Sequence, residues 1–197
     1  RLSVGGVNGF NSGALKIAEK LIEEAKTMVL SAEGLSAINK EINANISGAI
    51  KICNARSSES KHPLALDFVD LLKSVEEFKT DFKEQIPNEA KATSAEWLAK
   101  VTQKALDDDA VIKRRAEVAI IIGNVDKDLE RLNAKFLEVF ANDPNLAGKL
   151  DRGYSGALKA ELETCRSWNA SKTDIAFYDT IVGKLATLAK QIDEKIA

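Results

Sequence analysis

The sequence predicts an all-α fold, an elongated antiparallel bundle of three to four helices with long, coiled-coil-like members. Three observations carry this. Apolar residues recur in unbroken steps of three and four over long stretches, the spacing that keeps one helical stripe facing a neighbour. Only 3 Pro and 11 Gly interrupt 197 residues, of which 45% are hydrophobic and 29% charged, a globular composition with few breakers. No alternating apolar–polar run long enough for a strand occurs.

The first twelve residues, opening RLSVGGVNGF, are Gly-rich and read as a flexible lead-in, and residues 13–197 as one elongated domain. Asn11 and Ser12 offer caps for a first helix of about 13–54. Its seam is Ala18, Leu21, Ala25, Met28, Ala32, Leu35, Asn39, Ile42, Ile46, Ala49 and Cys53, a 3.5-residue period that suits long helices packed side by side. The polar stretch NARSSESKH ends at Pro63 and reads as a loop with Pro in the first turn of the next helix. That second helix carries Leu64, Phe68, Leu71, Val75, Phe78 and Phe82, and Pro87 stops it. Thr93-x-x-Glu96 has the form of a capping box for a shorter helix bearing Trp97, Leu98, Val101 and Ala105. Asp107-Asp108-Asp109 is then expected to open a third long helix, where acidic groups suit the positive end of the dipole. Its seam is Val118, Ile122, Val125, Leu129, Leu132, Phe136 and Val139. Asn142-Asp143-Pro144-Asn145 is a turn. The last segment has one seam starting at Leu158, Leu162 and Cys165, a break around WNASKT (168–173), and a second seam of Tyr178, Val182, Leu185, Ala189, Ile192 and Ile196.

Short connections make sequential helices antiparallel. If the first runs up, the second and its short successor run down, the third up and the last down, which places Cys53 and Cys165 at one end. A Cys53–Cys165 disulfide is therefore expected, with two separate buried thiols as the alternative. Closing a loop of about 110 residues stabilises by roughly 4–5 kcal/mol on chain-entropy grounds. Such a bridge favours an extracellular setting and gives weight to two glycosylation triplets, Asn45-Ile46-Ser47 and Asn169-Ala170-Ser171. Asn169, in the expected break, is the better acceptor.

The residues that could carry chemistry are few. His62 is the single histidine and reads as a loop residue, since no nucleophile accompanies it for a general base to serve. The acidic triplet lacks the spacing of a calcium loop. Gly5-Gly6-x-x-Gly9 lacks the preceding strand and the Lys-Ser/Thr of a phosphate loop. Lys113-Arg114-Arg115 reads as a solvated helix face, and neither cysteine has a catalytic context. Asn39 either fixes register inside the seam or marks where helices splay. Trp97 and Trp168 fall in the interrupted regions, as packing for a capping substructure or as a binding surface. No catalytic residue, cofactor or metal ligand is expected. A formal charge of −2 argues against a nucleic-acid partner, which calls for a basic excess, and no run approaches the roughly 18 apolar residues that span a bilayer. The chain opens at Arg1, so trimming is expected, with a lost signal or C-terminal anchor compatible with it.

The Ala-rich first helix ALKIAEKLIEEAKTMVLSAEGLSAINKEINANISGAIKIC, with its cysteine, and the apolar segment AVIKRRAEVAIIIGNVDKDLERLNAKFLEVF resemble the trypanosome helical-bundle surface proteins. These are the metacyclic invariant surface proteins and alanine-rich coat proteins, related to the haptoglobin–haemoglobin receptor. The resemblance covers most of residues 13–197 as a pattern, without a signature motif. It implies a non-enzymatic, GPI-anchored ectodomain, a coat component or host-ligand receptor, that meets the membrane only through its anchor. A host protein ligand would then sit at the membrane-distal end, which this topology assigns to the 54–63 and 142–155 loops rather than to 86–107. The competing readings are a lipid-interacting bundle, apolipoprotein-like or pore-forming, and an intracellular helical adaptor.

Overall fold

The computed structural model describes residues 16–17, 19–20, 31–59, 62–140, 145 and 155–196. Among them the chain is all-α, without a strand. The elements are α1 (Ala32–Ser57), α2 (Ala65–Asp81), a 3₁₀ turn (Phe82–Glu84), α3 (Pro87–Phe140), α4 (Gly156–Ser171) and α5 (Phe177–Ile196). The lead-in 1–12, the caps Asn11 and Ser12, the glycine cluster Gly5 to Gly9 and the turn residues Asn142 to Pro144 lie outside the described residues.

Two boundaries differ from the expectation. The first seam runs without a slip through residue 31, yet α1 starts afresh at Ala32. Ser31 sits at φ −54° and ψ 158°, outside the helical region, and its hydroxyl accepts from Gly34 N–H at 3.1 Å. A capping serine satisfies one of the otherwise orphaned N–H groups of a first turn, a signal independent of the apolar period. The second difference is larger. Residues 87–140 form one continuous helix of 54 residues, so the short helix and the third long helix are a single element. Asp107-Asp108-Asp109 lies in its interior, not at a start, and no reversal of direction occurs there. Asp costs less than about 0.7 kcal/mol per interior position, and Asp107 and Asp109 are exposed to solvent while Asp108 is fully buried and partnered as described below. The helix begins at Pro87, whose missing N–H is harmless in a first turn, and Ala90 N–H donates to Ile86 O at 2.9 Å.

The chain forms two compact units. The first holds α1, α2 from Leu66 and α3 as far as Gln103. Its buried positions are the predicted ones: Ile42, Ile46, Ala49 and Cys53 on α1, Phe68, Val75 and Phe78 on α2, Phe82 in the 3₁₀ turn, and Val101 on α3, with Ala90 added. Asn39 is exposed, so the buried seam of α1 starts one step later, at Ile42. Gly48 allows α1 and α3 to approach closely, since a Cβ there would meet Leu98 Cδ1 at 3.2 Å.

The second unit holds Glu59–Ala65, α3 from Lys104, α4 and α5. A single apolar cluster joins its three helices, through Val118, Ile122, Val125, Leu129 and Leu132 of α3, Leu158, Leu162 and Cys165 of α4, and Tyr178, Leu185 and Ile192 of α5. Ile181 and Leu188 are fully buried beside them, so the buried stripe of α5 is wider than the seam read from sequence. Full burial of such side chains is worth about 1.5–3 kcal/mol each. The expected break near 168–173 is present, as the connection between Ser171 and Phe177.

Candidate functional site

Three polar arrangements and a cavity stand out among the described residues. The first surrounds the single histidine. The Asp108 side chain has no solvent exposure and that of His62 has 11%. Asp108 Oδ2 lies 2.7 Å from His62 Nδ1, and Oδ1 accepts from the backbone N–H of Leu64 at 3.0 Å. A carboxylate only accepts, so Nδ1 carries the proton, while Nε2 lies 3.4 Å from Glu59 Oε2. Ala65 N–H donates to His62 O at 3.2 Å, so His62, Pro63 and Leu64 form the entry turn of α2. Asp108 thus supplies from α3 the acceptor that a local N-cap usually supplies. His62 is no ordinary loop residue: an unpaired carboxylate at that depth would cost several kcal/mol, and the histidine and the amide remove that cost.

The second arrangement closes the α4–α5 connection. Tyr178, fully buried, donates its hydroxyl proton to Lys172 O at 2.7 Å and accepts from Arg115 Nε at 2.9 Å. Arg115 also donates from its terminal nitrogen to Lys172 O at 3.0 Å. Asn169 Nδ2 donates to Arg115 O at 3.2 Å, so its acceptor nitrogen for a glycan is turned into the fold. Beside it Arg114 pairs with Glu117 at 2.9 Å and Asp179 at 2.8 Å, and these two hydrogen-bonded carboxylates push the guanidinium above its ordinary range. Of the basic triplet, two members therefore tie α3 to α5. Trp168 packs edge-on against Phe177 with ring centroids 5.4 Å apart, and Lys184 and Lys172 lie over these rings at 5.4 and 5.0 Å.

The third arrangement binds α1 to α3. Asn45 Nδ2 donates to Ser94 Oγ at 3.1 Å, Ser94 in turn donates to Lys91 O at 2.8 Å, and Lys91 pairs with Glu41 at 2.9 Å. Asn45 is half-buried, and its amide nitrogen, like that of Asn169, is used inside the fold. Both glycosylation triplets lie on helices, α1 and α4, with the nitrogen a sugar would modify already committed. The better acceptor, Asn169, was expected in a break but occupies the last turns of α4.

The structure has Cys53 and Cys165 as free, buried thiols rather than as a bridge. The expected pairing rested on a reversal of chain direction before Asp107, and the continuity of α3 removes that premise. Each sulfur instead fills its own unit's core. Burial pushes both thiols upward; at Cys165 the Lys184 charge opposes this and Glu161 adds to it. Among the described residues no three His, Cys, Asp or Glu side chains cluster as a metal site, and no helix is long and apolar enough to cross a membrane.

The cavity, of about 280 Å³, lies in the first unit. Ile42, Phe82 and Ala90 form its buried floor, with exposures of 0%, 5% and 1%, and Leu35 and Pro87 wall it. Asn39, Asn43, Lys83 and Gln85 stand at its exposed rim. The sequence pattern identified Ile42 and Phe82 only as seam residues. In the sequence Pro87 reads only as the stop of the second helix; in the fold the 3₁₀ turn Phe82–Glu84 and Pro87 form the corner beside which the cavity lies. A shallower recess lies on α3, where Lys100 Nζ stands 5.0 Å from the ring centre of half-buried Trp97 and Thr93 and Glu96 complete the lining. Trp97 therefore sits in mid-helix, not in an interrupted region.

No family model, curated protein or solved structure matches the chain.

Proposed function

We propose that the chain is a non-enzymatic helical ectodomain of a parasite cell-surface protein, of the kind the trypanosome surface bundles exemplify. It acts as a coat component or host-ligand receptor, held to the membrane through a lipid anchor outside this sequence. One observation supports the non-enzymatic part: the side chains best equipped for chemistry are spent on architecture. His62 and Asp108 start α2, Tyr178 and Arg115 close the α4–α5 connection, and both thiols are buried where burial disfavours the reactive thiolate. The surface assignment rests on the sequence resemblance. An elongated antiparallel arrangement of the helices belongs to the same reading, and small-angle scattering tests it through the maximum dimension of the particle.

The deciding experiment for the surface assignment is antibody labelling of intact, non-permeabilised cells before and after phosphatidylinositol-specific phospholipase C. Labelling that is lost on phospholipase treatment supports the proposal. Labelling seen only after permeabilisation overturns it and favours the intracellular adaptor.

A further inference from the structure

We infer that the cavity of the first unit is a binding site for a small amphipathic carboxylate, an apolar body of about eight carbons carrying one anionic head. The floor sets the body. The side chains of Ile42, Phe82 and Ala90 are all carbon, and at about 280 Å³ the space falls just below the roughly 300–1,000 Å³ of drug-sized ligand pockets, which suits a smaller ligand. The recess is open to solvent at its polar rim and carbon-lined at its floor, so an alkyl chain laid on the floor is desolvated there, at about 0.8 kcal/mol per buried methylene.

The rim sets the head. Lys83 has no ion pair or hydrogen-bond partner among the described residues, and the side-chain amides of Asn39 and Gln85 are likewise unengaged among them. Asn43 uses only its nitrogen, donated to Asn39 O at 2.8 Å. Asp81 and Glu84 flank Lys83 in sequence but do not line the cavity, so the ammonium is the single formal charge on its wall. One cation with neutral amide donors above a carbon floor complements a monocarboxylate. It gives no second cation for a phosphate, and no carboxylate to receive an amine. This site lies outside the loops at which the resemblance places a host ligand, and it stands independently of the surface assignment.

The test is titration of the whole 197-residue chain with octanoate and, separately, with 1-octanol, followed by NMR at the Ile42 methyl and the Gln85 side-chain amide. Both probes are expected to shift Ile42, octanoate alone Gln85, and octanoate is expected to raise the melting temperature as a native-state ligand does. Lys83→Gln, an exposed change that leaves the fold intact, should weaken octanoate about tenfold and leave octanol unchanged. Ala90→Leu, which fills the floor, should abolish both, and Asn39→Trp closes the mouth from an exposed position if the floor variant fails to fold. Absence of shifts at Ile42 with millimolar octanoate overturns the site. An unchanged octanoate affinity in Lys83→Gln overturns the assignment of the head group.

Discussion

Both units bury apolar side chains from three helical segments, and they differ at the connections between those segments. In the second, α3, α4 and α5 share a single cluster that runs from Val111 to Ile192, and the α4–α5 connection is locked by hydrogen bonds that converge on Lys172 O from Tyr178 and Arg115. In the first, the α2–α3 corner is turned by a 3₁₀ segment and Pro87, and a cavity floored by Ile42, Phe82 and Ala90 stays open beside it. The α4–α5 connection is tied by a buried tyrosine and an arginine, whereas the corner beside the cavity is made by a 3₁₀ turn and a proline.

The largest effect expected on this contrast comes from the group that starts α2. Asp108→Ala removes the acceptor of both His62 and Leu64 and should destabilise by about 1–3 kcal/mol for each of the two donors it leaves unsatisfied. Asp108→Asn keeps the shape and an oxygen for Leu64 and should recover most of it; urea unfolding measures both. Leu185→Ala in the closed unit should cost about 2–5 kcal/mol, because close-packed surroundings relax little around the lost methyls. Ile42→Ala, on the cavity floor of the first unit, removes the same number of carbons and should cost less, and equal losses would erase the distinction. Tyr178→Phe deletes a hydroxyl that both gives and accepts hydrogen bonds and should cost about 1–3 kcal/mol, with faster hydrogen exchange confined to the α4–α5 connection. Ser31→Ala should cost about 1 kcal/mol, read as lost protection at Gly34.

The smallest effect is in the pH dependence. A thiol raised by burial keeps its proton in the folded state while the unfolded chain loses it near the usual 9.0. The folded state then binds more protons than the unfolded one, so stability falls as pH rises above about 9 and is unaffected below. Cys53→Ala and Cys165→Ala should each flatten that alkaline slope. Maleimide labelling of unreduced, unfolded protein should modify two thiols; no labelling would restore the Cys53–Cys165 bridge.

The sequence by itself determined that the chain is helical and which side chains enter the cores. Ile42 to Cys53, Val118 to Leu132 and Leu158 to Cys165 are buried where their spacing places them, because helical period and burial are both local consequences of 3.6 residues per turn. The cap at Ser31, whose hydroxyl accepts from Gly34 N–H, is a local signal that the sequence also carries. Only the tertiary structure decided what the other polar residues do. Asp108 sits in mid-helix because its partners, His62 and Leu64, lie more than forty residues away, and no window of sequence contains all three. Asn45 and Asn169 carry a glycosylation pattern, yet Ser94 and the carbonyl of Arg115 claim their nitrogens. An apolar side chain needs only to leave water, and any neighbour will serve. A buried polar group needs one partner at hydrogen-bond distance, and only the assembled fold selects it.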